Sequence, residues 1–155
     1  MNFKVSGLPV GPFQALFGQP EHTLSAYGAV RRIADKSPGF PCRVSLRDAE
    51  VGESLLLINF EHLPVAGPFR SRYAIFVREN AIESRPGTNE IPAVLVSRLL
   101  AVRAFDAEGF LRDADVVEGK EVGPVIERYL EDPQVDYLHL HYAKPGCFAA
   151  RVDRA

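Results

Sequence analysis

The chain has 155 residues, 46% hydrophobic and 25% charged, enough for one globular domain (1–155) that closes its core without a disulfide or a metal. A net charge of -2 offers no general attraction to nucleic acid or to an acidic membrane, and no apolar run reaches the roughly 18 residues that a spanning helix needs. Two distant cysteines and an N-terminus without an apolar stretch lead us to expect a cytoplasmic protein with reduced thiols.

In chain order, Asn2 to Val5 alternates as a short strand and stops at Gly7 and Pro9. Pro12 to Phe17 reads as a helical turn with proline at its start. Thr23 to Asp35 is ambiguous, because Gly28 weakens a helix, and we read its later half, Val30 to Ala34, as strand. Ser37 to Pro41 is a rigid loop that delivers Cys42 and Arg43. Val44 and Leu46 continue as a short strand, and Asp48 to Gly52 is a turn.

Ser54 to Phe60 holds the most apolar run and reads as a central strand buried on both faces, ended by Glu61 to Pro64. Val65 to Ser71 is a loop, and Tyr73 to Arg78 is a strand. Ala81 to Asn89 is loop-like, and a helical turn begins near Pro92. Ser97 to Phe105 alternates as a strand, Asp106 to Gly109 is a hairpin turn, and Phe110 to Val117 returns antiparallel. Gly123-Pro124 opens a short helix that closes before Asp132-Pro133, since proline disfavours helical backbone in the residue before it. Hairpins dominate and helices are few. The order predicts an α+β fold, a single domain built on a mainly antiparallel β-sheet with a few short helices.

The last hairpin gathers the most chemistry. Period-two alternation puts Leu138, Leu140 and Tyr142 on one face and Tyr137, His139 and His141 on the other. The two imidazoles stand about 7 Å apart along the strand, too far to bond each other but close enough to share a ligand. No third ligand lies near, so no metal site is assigned, and nothing names a cofactor.

Lys144-Pro145-Gly146 supplies the turn, and its length sets the return register. A three-residue loop puts Cys147 and Arg151 on the histidine face. A two- or four-residue loop sets His141 against Ala150 or Phe148 and moves Cys147 and Arg151 to the leucine face. Proline at the second of three loop positions is awkward for a type I turn, which favours the even loops; spacing alone leaves the register open.

The motifs Phe40-Pro-Cys-Arg43, Gly52-Glu53, Ile75-Phe-Val-Arg78, Arg103-Ala-Phe-Asp-Ala107, His139-Leu-His141 and Gly146-Cys-Phe-Ala-Ala-Arg-Val-Asp-Arg154 occur in an order that resembles the bacterial domain-of-unknown-function family 1203. The resemblance runs from about residue 25 to the end, with Tyr73-Ala74 standing where the family has Gly-Pro. It implies a class, and neither an activity nor catalytic residues.

Fourteen of the eighteen basic residues are arginines, planar groups suited to carboxylate or phosphate. We therefore expect a small anionic ligand on an Arg/His-lined sheet face, drawn from Arg43, Arg78, Arg103, His139, His141 and Arg151. Each arginine could instead pair with one of the 20 acidic residues. A second reading is a hydrolase or transferase that uses Cys147 or Cys42 with His139 or His141. No phosphate loop, Gly-x-Ser-x-Gly elbow or Cys-x-x-Cys accompanies them. A third reading is an interaction module whose free sheet edge pairs with a partner or with a second copy.

Overall fold

Leu55, Leu56 and Ile58 are buried in alternate directions, so the strand that carries them is covered on both sides. The computed structural model describes residues 1–155. Strands β1 (Phe3–Ser6), β2 (Ala29–Ile33), β3 (Ser54–Leu63), β4 (Ser71–Arg78), β5 (Leu99–Phe105), β6 (Leu111–Glu118), β7 (Tyr137–Tyr142) and β8 (Phe148–Arg154) are joined with helices α1 (Gly11–Gln14), α2 (Glu21–Ala26), α3 (Ala93–Val96) and α4 (Val122–Glu131). Every pair of neighbouring strands is antiparallel, in two sheets ordered β1-β8-β7-β5-β6 and β2-β3-β4. The fold is α+β, as the alternation predicted.

The larger sheet buries one face under α4. That helix turns Val122, Ile126, Tyr129 and Leu130 inward, at the spacing of one helical face, onto Leu100, Val102, Leu138, Leu140 and Val152. Each such side chain, fully buried, contributes about 1.5–3 kcal/mol. Asp132 is extended before Pro133 and ends the helix. The freed carbonyl of Leu130 accepts hydrogen bonds of 3.0 and 2.7 Å from Arg154 of β8, which ties the helix end to the sheet. The smaller sheet turns Leu56, Ile58, Ile75 and Val77 onto Phe13, Leu16 and Leu24 of the α1–α2 region.

Two local expectations change and one ambiguity is settled. The expected strand at Val44 and Leu46 is a tight turn, closed by Leu46 N donating to Cys42 O at 3.1 Å, with Leu46 at φ 50°. Only isolated bridges form there, Pro41 to Asp48 and Cys42 to Phe76. The ambiguous segment divides at Gly28 (φ 67°) into helix α2 and strand β2. Strand β3 does not stop at Phe60 but passes through an irregularity to Leu63, which carries His62 onto the larger sheet.

Gly119 follows β6 in a 3-10 turn and donates to Arg98 O at 2.8 Å. A Cβ there would lie 2.6 Å from Arg98 O and 2.7 Å from Val96 O, backbone atoms that cannot swing away. Gly119→Ala should therefore cost about 2–4 kcal/mol in urea unfolding. A loss below about 0.5 kcal/mol, within the range of neutral surface changes, would contradict this packing.

Candidate functional site

Arg43 is charged, yet only 2% exposed. Its backbone is fixed from two sides, by Arg43 N donating to Phe76 O at 3.0 Å and by Leu8 N donating to Arg43 O at 2.8 Å. Gly7 permits that second contact, since a Cβ there would stand 2.5 Å from Arg43 O.

The Arg43 guanidinium reaches across to the last hairpin. Nε donates to Phe148 O at 2.8 Å, one Nη to Pro41 O at 2.5 Å, and the other Nη to Cys147 Sγ at 2.8 Å. The group lies over the Tyr142 ring, 4.9 Å from its centroid. No carboxylate lies within ion-pairing distance of Arg43. Two of its five N–H donors remain unspent.

Arg43 borders a cavity of about 670 Å³ between the two sheets. Tyr142, Cys147, Arg98 and Lys144 bring polar groups to its lining, and Leu57, Phe76 and Leu99 bring apolar ones. Arg98 lies 5.3 Å from the Tyr142 centroid, on a face-on approach like that of Arg43. Its charge is countered by Asp48 through contacts of 2.6 and 3.1 Å. Burial pushes the Tyr142 phenol up to about 12, so it stays protonated and can donate. Tyr73 and Ala74, where the chain departs from the Gly-Pro pattern, also border the cavity.

The hairpin register explains which residues meet there. Gly146 N donates to Tyr142 O and Tyr142 N to Cys147 O, closing a four-residue loop from Ala143 to Gly146. His141 then faces Phe148, and Cys147 joins the core side with Tyr142 and Leu140. A bulge at Ala149 changes the phase again, so Arg151 pairs with His139 on the histidine face. Cys147 and His141 are neighbours across the turn but belong to opposite faces.

The histidine face is a separate cluster. His139, His141 and His62 surround the Phe148 ring, with His62 stacked on it at 5.4 Å and 14°. Nδ1 of His141 meets Gly146 O at 3.0 Å, whereas Nδ1 of His62 and of His139 is buried without a partner. The three rings do not converge into a metal-holding group. Arg103 and Arg151 flank His139 on the neighbouring strands. Arg151 is spent on Asp153 at 2.7–3.0 Å and on the Tyr137 ring at 4.0 Å. Arg103 forms no ion pair, and burial lowers its pKa.

Of the remaining candidates, Arg78 pairs with Glu53 at 2.5 Å, and Cys42 is a core residue whose sulfur accepts from Ser45 N and Arg78 N. Neither thiol is hydrogen-bonded to a histidine; their partners are Arg43 and backbone amides. Sequence reasoning missed His62, Arg98 and Asp48. Nothing local marked any of the three, and His62 follows an irregularity in β3.

Burial holds His139 down to about 2 and His141 to about 3, against 6.5 for an ordinary imidazole, and it lowers His62 as well. Below pH 6.5 the unfolded chain therefore takes up protons that the folded chain refuses. Stability is full above pH 6.5 and drains as the pH falls toward 3, by about 1.4 kcal/mol per pH unit for each such imidazole. Glu79, held at about 2 by Arg31, loses its contribution only below its ordinary 4.5. Urea unfolding at pH 7.5 and 5.5 should differ by about 3 kcal/mol, and His139→Phe should remove nearly half of that difference. An unchanged difference in His139→Phe would contradict a neutral, buried His139.

The family described as Protein of unknown function (DUF1203) matches residues 39–154. No curated protein and no solved structure matches the chain. The matched span begins just before Arg43 and ends in β8, so it takes in both the arginine network and the histidine cluster. The chain belongs to the DUF1203 family of proteins of unknown function.

Proposed function

We propose that this domain binds a small anion in the cavity between its two sheets, with Arg43 as the fixed charge and Arg98 and Lys144 beside it. One observation carries the reading. A guanidinium is held out of water, with no carboxylate partner and unspent donors, at the edge of a cavity of about 670 Å³. Burying a lone cation is costly, and an anion entering the cavity would offset that cost with bidentate contacts. The volume suits a small metabolite.

This narrows the arginine–histidine set. Arg78 and Arg151 have their charges spent, Arg103 lies beside His139, and His139 and His141 pack on Phe148, whose carbonyl Arg43 grips. Cys147 supports a thiol-dependent hydrolase or transferase less well, because its sulfur meets a guanidinium and no base. Two unpaired thiols accord with a cytoplasmic setting.

A thermal-shift screen of small organic and inorganic anions tests the reading. A ligand at a hundred times its Kd adds about 2.7 kcal/mol, a rise of several degrees at this chain length. Lys144→Ala, a change in an exposed turn, should weaken the best anion roughly fivefold, the scale of one partly solvated charge. A panel in which no anion raises Tm would overturn the proposal.

A further inference from the structure

The lining of the cavity combines charged groups with apolar surface, and the two ask for different things of a ligand. Among its charged groups, Arg43, Arg98 and Lys144 stand against one lining carboxylate, Glu118, and against Asp48, which neutralises Arg98 from outside the lining. One net positive charge remains. A dianion or a polyphosphate would overfill that charge, and no glycine-rich turn offers a row of amides to a phosphate.

Part of the lining is apolar: Leu57 and Phe76 are cross-strand partners on β3 and β4, and Leu99 opens β5 beside Glu118. All three are half-buried, while Leu55, Leu56, Ile75 and Val77 around them in the same sheet are sealed. Half of the sixteen residues around the cavity are hydrophobic. An apolar wall left wet beside a dry cation is a surface that a ligand's hydrocarbon body would cover.

Resting on the anion-binding reading above, we infer that the ligand is a hydrophobic monocarboxylic acid. Its single charge meets the Arg43 end, and its hydrocarbon body, alkyl or aryl, lies on Leu57, Phe76 and Leu99. Acetate and inorganic phosphate satisfy the charge and leave the wall wet; a neutral amide does the reverse.

Isothermal titration with the intact protein separates these cases, using hexanoate and phenylacetate as probes against acetate, inorganic phosphate and phenylacetamide. We expect hexanoate or phenylacetate to bind at least about tenfold more tightly than acetate, phosphate or the amide, the gain expected for covering a few CH₂ groups. Which of the two acids is tighter sorts alkyl from aryl ligands. Leu57→Thr, which keeps a strand-forming residue, should remove most of that advantage and leave acetate unchanged; Leu99→Thr should act alike and serves if the first variant does not fold. Acetate or phosphate binding as tightly as the hydrophobic acids would overturn this inference while leaving anion binding intact. Binding of phenylacetamide equal to that of phenylacetate, or no binding by any acid or by phosphate, would overturn both.

Discussion

Holding a guanidinium out of water without a carboxylate is the constraint on which the rest of the structure around the cavity depends. Arg43 is anchored by its own backbone to β4 and to the segment after β1, and by its side chain to Pro41, Cys147 and Phe148. It therefore joins the smaller sheet, the N-terminal strand and the C-terminal hairpin. Removing it would orphan two buried carbonyls and open a void, changes that together rank among the costly ones. Its charge is softened by carbonyl dipoles and by the Tyr142 ring, and neither supplies the full counter-charge that a buried cation ordinarily requires.

The C-terminal hairpin does two jobs because it changes phase. The bulge at Ala149 puts Cys147 and Phe148 on different faces from those that simple alternation would assign relative to Arg151. One face then supplies the sulfur and phenol near Arg43. The other packs neutral imidazoles around the Phe148 ring. The same residue serves both sides: its carbonyl accepts from Arg43 while its ring is enclosed by His62, His139 and His141. Acid that charges the imidazoles would thus loosen the segment that holds the arginine.

What the amino-acid order made legible was local. The hairpin turn at Asp106 to Gly109, the helix between Gly123-Pro124 and Asp132-Pro133, and the alternation of β5 and β7 all follow from signals within a few residues, and the α+β class follows from them. The strand at Val44 and Leu46 failed because alternation over so few residues cannot be told from a turn that buries its ends. The fate of each arginine was mostly non-local. Arg43 meets partners some hundred residues away, and Arg78 finds Glu53 across two strands. Arg151 is the exception: Asp153 sits two residues on, on the same strand face, and that pairing could have been read directly. His62 lay beyond an irregularity that no composition rule marks, and Arg98 sits between a helix end and a strand start, where neither period applies.

Cys147 offers a direct probe of the central claim, because it is among the residues lining the cavity while Cys42 lies in the core of the smaller sheet. The measurement is the rate at which native protein is alkylated at Cys147 by iodoacetate and by iodoacetamide, reagents of similar size that differ in charge, read by peptide mass spectrometry. If the cavity concentrates anions against Arg43, Arg98 and Lys144, iodoacetate gains on iodoacetamide at Cys147 relative to the same pair on unfolded protein, and added salt erodes that gain. Equal ratios in native and unfolded protein would mean that the cavity does not attract anions, and the account of Arg43 as a binding charge would fall.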